Sequence, residues 1–322
     1  MDFSFQSLVQ HHSSQMDVAF QNIVRYILGH SELVISLIRI SNVTEDSFHV
    51  SIEARATNTG PAKATLTPMT MDLCGPGGCF GQVTLPQIMT TSGGAPIKVT
   101  NQLVRITDAS ALQAFIRPVI CATNATLSLK NGHTTVLSLG LGPKPITYEK
   151  EIPMAGMCGP TIRVQRATTT QKHPGAGAGA GALAVTIRVM NPSPMELSFG
   201  ICGFEIQDAQ GRVLADLKGR LDIRRGHFEA TLQGNVDRKV AVAALGQAQM
   251  RLVGKRCAGA GWCDDTVKGI DVPLANMQKV FKALGITCEE EDDDEPEEEL
   301  INEKQAEAKR ESWWSTTKFW KA

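Results

Sequence analysis

Two prolines one residue apart, in Asn191-Pro192-Ser193-Pro194, interrupt an otherwise strand-like run from Ala182 to Gly219. Before them Leu183, Val185, Ile187 and Val189 alternate with smaller or more polar residues. A period of two puts one face of a strand into a core. Proline fixes φ and carries no N–H, so the pair ends that strand. A second strand follows over 197–206, and Ala209-Gln210-Gly211 turns the chain into a third over 213–217. The sequence therefore predicts an all-β fold.

The first half carries the same plan. Strands are expected over 32–41, 48–57, 64–73, 79–85 and 96–106, with a turn at Cys74-Gly75-Pro76-Gly77-Gly78. Thr107 or Asp108 can cap a helix running to about Ile120, with Leu112, Phe115, Ile116 and Val119 on its apolar face and Pro118 ending or bending it. Strands resume over 125–130, 134–139 and 145–152, and Asn131-Gly132 reads as a hairpin turn. Asn58 and Pro61 match Asn191 and Pro194; Glu151-Ile152-Pro153-Met154 matches Asp271-Val272-Pro273-Leu274. Such spacing indicates duplication of one large unit, whereas solenoid repeats run roughly 20–50 residues. The expected architecture is two tandem immunoglobulin/fibronectin-like β-sandwiches, each with a short helix. The expected boundaries are an N-terminal helix in 1–29, sandwiches over 30–158 and 159–286, and a tail over 287–322. A flexible Gly/Ala loop is expected over 168–181 and a late helix near 275–284.

Charge is unevenly distributed. The net charge is −1, yet Glu289 to Glu299 holds ten acids and no base. A mildly basic body is thus followed by an acidic stretch that self-repels and is expected to be disordered. No secretory signal or membrane-spanning run is read, so the eight cysteines are expected to be reduced. For the same reason the sequons Asn42-Val43-Thr44 and Asn124-Ala125-Thr126 are read as chance matches.

A resemblance adds to this reading. The Asn-Pro-x-Pro break within 182–219 resembles the late-embryogenesis-abundant type 2 domain, also called the water-stress and hypersensitive-response domain. The first half is similar to a fungal family of unknown function with that fold. Its matching pieces include Leu66 to Gly78, Phe80 to Pro86, Gln102 to Asp108 and Pro153 to Pro160. The resemblance implies a tandem of sandwiches, location at an endomembrane such as that of the vacuole, and an apolar groove able to hold lipid.

No pattern of residues points to catalysis. Cys74-x4-Cys79 and Cys257-x5-Cys263 are wider than usual zinc spacings and read as packing cysteines. The histidines are scattered, Gly-Pro-Gly-Gly lacks the Lys-Ser/Thr of a phosphate loop, and Asp264-Asp265 reads as a solvated turn. No cofactor, metal or nucleic acid is expected. The terminal Ser-Trp-Trp-Ser-Thr-Thr-Lys-Phe-Trp-Lys-Ala holds three of four tryptophans, and Trp313, Trp314, Phe319 and Trp320 are the candidate contacts for a membrane or a protein partner. The expected function is a non-enzymatic, membrane-associated module binding lipid or a protein at the cytoplasmic face of an endomembrane. The alternative is a soluble stress-protective or scaffold protein with no lipid ligand.

Overall fold

A computed structural model describes residues 30–286, apart from 61–62, 139–140, 158, 160, 171–179 and 247–248. The N-terminal helix, the centre of the Gly/Ala loop and the whole 287–322 tail lie outside the described residues. Strand pairing reaches Thr170 on one side of that loop and resumes at Ala180, so it is shorter than its expected 168–181.

The first half contributes β1 (Glu32–Ser41), β2 (Ser47–Thr57), β3 (Ala64–Leu66), β4 (Met69–Gly75), β5 (Gly78–Leu85), β6 (Ile88–Thr90) and β7 (Ala95–Arg105). The helix α1 (Ala109–Cys121) and the long strands β8 (Asn124–Ser138) and β9 (Leu141–Ala155) complete it. The second half contributes β10 (Thr161–Thr170), β11 (Ala180–Asn191), β12 (Met195–Gln207), β13 (Val213–Ile223), β14 (Gly226–Asp237) and α2 (Arg238–Ala243). Then come β15 (Arg251–Cys257), α3 (Gly261–Lys268), β16 (Asp271–Ala275) and α4 (Gln278–Ala283).

Each half pairs its strands in the same order. In the first, β2 lies between β1 and β7, while β4 joins β5 to β8 and β8 joins β9. In the second, β11 lies between β10 and β14, while β12 joins β13 to β15 and β15 joins β16. Asn58 and Asn191 both sit at the end of the second strand, and Pro153 and Pro273 both lie in the last.

Two separate sandwiches do not result. In the second half the two sheets meet at both margins: β13 pairs β14, and β10 pairs β16 in parallel at Ile162 and Arg163. Seven strands thereby close into a barrel. The closing seam depends on two glycines. A Cβ on Gly234 would lie 1.9 Å from the Asp216 carbonyl oxygen, and one on Gly219 would lie 2.3 Å from that of Thr231. The first half stays open. Its β1-β2-β7 sheet continues the barrel sheet, because β1 pairs in parallel with β12 at 195–197. Strand β12 then gives the same edge to β15 from Cys202 onward. Its partner changes across Phe199-Gly200-Ile201, where Gly200 takes a φ of 75°. The remaining first-half strands form a separate six-stranded sheet.

Asp108 caps α1 by accepting the Ala111 N–H at 2.9 Å, and the helix runs through Pro118 to Cys121. Asn131-Gly132 is not a hairpin turn: β8 runs straight through it with a bulge opposite β9. Asn131 takes a φ of 57°, and a side chain on Gly132 would lie 2.7 Å from Met71 Cε. The same permissive backbone serves a bulge as readily as a turn. Asp264 and Asp265 lie on α3, not on a loop, and the late helix begins at Gln278 because 271–275 is strand.

Among the described residues β9 pairs only β8, leaving one margin open. Pro145 and Pro153 are an even number of residues apart, so both missing N–H groups fall on the same margin. Proline is tolerated where no ladder donor is needed, and here it removes donors a stray strand would use.

Candidate functional site

The barrel interior is the first place to look for a ligand. Leu183, Val185, Leu197, Phe204, Ile206, Leu214, Leu217 and Leu232 fill the second-half core almost completely. What remains is an apolar cavity of about 20 Å³, lined by Met157, Ile187, Phe204, Leu221, Phe228 and Ile270 among others. That is room for about one water molecule, in walls that offer water no partner. Asn191 touches this cavity but is already satisfied: it donates to the carbonyls of Met195 and Arg224 and accepts the Ser193 N–H.

The seam between the halves is the second. Trp262, buried at the start of α3, packs edge-on against Phe48 from the first half and Phe199 from the second, with ring centres 6.3 and 6.5 Å away. Its Nε1 donates to the Thr44 carbonyl at 3.1 Å, and Glu45 accepts the Gly261 N–H at 2.7 Å. The first half thus supplies the carboxylate that caps α3, favourable at a helix N-terminus. On the opposite side of β1, Glu196 is buried and accepts from the Arg39 guanidinium at 2.6 and 2.8 Å and, more loosely, from Arg225. Burial alone would raise its carboxyl; the Arg39 hydrogen bond, with help from Arg225, outweighs it and holds the group below its ordinary value.

Three buried thiols lie behind Trp262. Cys202 faces Cys257 across the β12–β15 ladder, and Cys263 lies beside Cys257. Cys257 donates to the Phe199 carbonyl at 3.1 Å. Burial first, and the neighbouring Cys257 second, push the Cys202 and Cys263 thiols far up, so both are protonated at neutral pH. Reactive chemistry needs the thiolate. No three His, Cys, Asp or Glu among the described residues are arranged to hold a metal ion.

The Gly-Pro-Gly-Gly turn is the third. Cys74 and Cys79 face each other across β4 and β5 and are joined in a disulfide, which corrects the expectation of reduced cysteines. The pair is five residues apart along the chain, but a tight antiparallel turn brings its two ends together. The turn lies flat on α1: a Cβ on Gly75 or Gly77 would come within 2.7 Å of Phe115 or Ala114. Phe80 stacks on Phe115 below it, ring centres 5.2 Å apart. The glycines are therefore there for helix packing and cradle no phosphate. Beside the turn Asp72 accepts from Asn131 at 2.7 Å and Gln82 at 2.8 Å; the Asn131 bond first, then that of Gln82, hold its carboxyl below the usual value.

Of the sequence-predicted contacts, Trp313, Trp314, Phe319 and Trp320 lie outside the described residues. Asp264 pairs with Lys268 on α3 and accepts the Cys257 N–H, so it is engaged locally. The described residues bring no nucleophile together with a base and an orienting group. Sequence reasoning missed Trp262: as the one tryptophan outside the tail it was a visible signal, but its partners Thr44 and Phe48 lie more than 200 positions away.

The profile of a family described as protein of unknown function (DUF3712) matches residues 79–206, from β5 to the end of β12. The match spans the join between the halves. No curated protein matches the sequence. Among solved structures, the exo-chitosanase CsxA of Amycolatopsis orientalis is 11% identical, with 74% of this chain and 26% of that chain covered and a TM-score of 0.22. The chain thus spans about a quarter of that enzyme's length. A partial N-terminal region of enterococcal surface protein is 8% identical over 70% of this chain and 88% of that one, with a TM-score of 0.15. Likeness at that level carries no argument about fold or activity. Nothing in these matches supports the late-embryogenesis-abundant likeness or a vacuolar location.

Proposed function

We propose that the protein is a non-catalytic binding module that meets a protein partner at its surface, with the aromatic cluster Trp313, Trp314, Phe319 and Trp320 as the attachment point. The observation that carries this reading is the filled barrel: an interior cavity of about 20 Å³ leaves no space for an acyl chain. That weakens the lipid groove which the late-embryogenesis-abundant resemblance implied, and shifts the binding role to the outside. The outer face of the six-stranded sheet offers one apolar row that supports surface contact. Met89, 65% exposed, and Leu137, 43% exposed, flank Thr65 across paired strands. An acidic spacer next to the tryptophans disfavours anionic lipid, which favours a protein over a membrane.

The test has two parts. Lipid extraction of the purified full chain followed by mass spectrometry is expected to return no stoichiometric lipid. Partner pulldown with Trp313, Trp314 and Trp320 all changed to Ala is expected to lose the partners the parent captures. Stoichiometric lipid, or a triple variant that folds and captures partners like the parent, overturns the proposal; binding of the parent to vesicles alone would make the surface a membrane contact.

A further inference from the structure

We propose that Asn42 and Asn124 carry N-linked glycans, and that this body resides in an oxidising compartment on the secretory route. Two independent sets of observations meet here. The first is geometric. Asn42-Val43-Thr44 and Asn124-Ala125-Thr126 are Asn-x-Thr acceptor sequences, and both asparagines are exposed in the folded chain. Asn42 follows the last residue of β1, in the turn to β2, with a φ of 49°. Asn124 opens β8 directly after α1, and its amide makes one weak contact, donating to Thr123 Oγ1 at 3.3 Å. A glycan on either asparagine projects from a strand end, where acceptor sites belong in a secreted protein. The intervening Val43 and Ala125 pack inward, against the core or within it, so each Asn is turned outward.

The second is redox chemistry. Cys74–Cys79 is a disulfide, with Cys79 exposed at the hairpin end. Structural disulfides form and last in oxidising compartments and are rare where glutathione keeps thiols reduced. Cys202, Cys257 and Cys263 stay thiols in the same molecule because burial puts them out of reach of exchange, while Cys121, at the end of α1, is a free and exposed thiol. One location accounts for the Cys74–Cys79 bridge and the glycan acceptors together.

The chemistry balances as follows. The amide nitrogen of Asn42 or Asn124 forms a bond to the anomeric carbon of a polyprenyl-diphosphate-linked oligosaccharide, the diphosphate leaves, and the amide loses one proton. Cys74 and Cys79 give up two electrons and two protons to the disulfide of a thiol oxidoreductase, which leaves as a dithiol. Transfer takes place on the emerging chain, so the folded-state bonds of the Thr44 hydroxyl to Asp46 and Ser47 do not oppose it.

The test uses the full-length protein isolated from its own cells. Amidase release of N-glycans in heavy-oxygen water is expected to raise mobility in two steps and to convert Asn42 and Asn124 to labelled Asp. Asn42→Gln and Asn124→Gln should each abolish one step. Alkylation before reduction is expected to leave Cys74 and Cys79 unlabelled. Unmodified Asn42 and Asn124 peptides overturn the proposal, whatever the state of the disulfide. So does full labelling of Cys74 and Cys79 without reductant.

Discussion

The two halves pair their strands in one order, yet one closes and the other does not. The difference lies in the connection between the fifth and later strands. Between β13 and β14 only Arg224 and Arg225 intervene, so the strands form a direct hairpin, and Gly219 and Gly234 let their backbones approach. Between β5 and β7 the chain detours through β6, which returns to pair β3. After that excursion β7 still packs beside β5, with Val104 against Gly81, but the two strands form no ladder and the margin stays unjoined. A shared strand order therefore does not dictate a shared closure. Loop length and two side-chain-free positions decide it.

The comparison can be broken most severely at the seam. Trp262→Ala removes the ring shared by Phe48 and Phe199 and the bond to Thr44. The expected cost is about 4 kcal/mol, and the single thermal transition should split in two as the halves uncouple. A single unshifted transition would show that they are joined elsewhere. Next comes closure itself. Gly234→Ala forces a methyl into the Asp216 carbonyl and should cost about 3 kcal/mol in urea unfolding, with faster hydrogen exchange in β13 and β14. Gly81→Ala, in β5 at the unjoined margin of the open half, meets a movable Val104 methyl first and should cost about half as much. Equal costs would erase the distinction between the halves.

Glu196 sharpens it by pH. Its folded carboxyl lies below the ordinary range, as does that of Asp222, where burial is outweighed by Ser198 and Arg220. A depressed carboxyl adds stability above its unfolded value and loses it as pH falls through the folded one. Stability should be full above about pH 5 and decline in acid. Glu196→Gln should cost about 2 kcal/mol at neutral pH and flatten that decline. An unchanged acid slope would mean the Arg39 pairing contributes nothing. The smallest effect is expected at the bulge of the open half: Asp72→Asn should cost less than about 1 kcal/mol by thermal melt, since the site is partly exposed.

How far the sequence carried this reading depended on how local each signal was. The Asn191-Pro192-Ser193-Pro194 break, the Asp108 cap and the order of repeated strands are written in neighbouring residues and stand in the structure. Asn131-Gly132 misled because a left-handed residue satisfies a turn and a bulge alike. Barrel closure was not legible, since Gly219 and Gly234 matter only once β13 and β14 lie side by side. The Cys74–Cys79 bridge was visible as spacing, but the pairing of β4 with β5 was needed to set the sulfurs face to face. Trp262 looked like an isolated aromatic until Phe48 and Thr44 arrived from the other half.

The parallel pairing of Ile38 with Met195 also has a consequence for synthesis. A ribosome that has just delivered β1 must still add more than 150 residues before its neighbour exists. At roughly 5–20 residues per second, the first half waits on the order of 10–30 s with that edge bare. Hydrogen-bonding groups left open for so long invite capture by other nascent strands. A holdase bound near Val34 to Ile40 during translation would shorten that hazard, and ribosomes stalled before residue 195 should display the first half in its most protease-sensitive form.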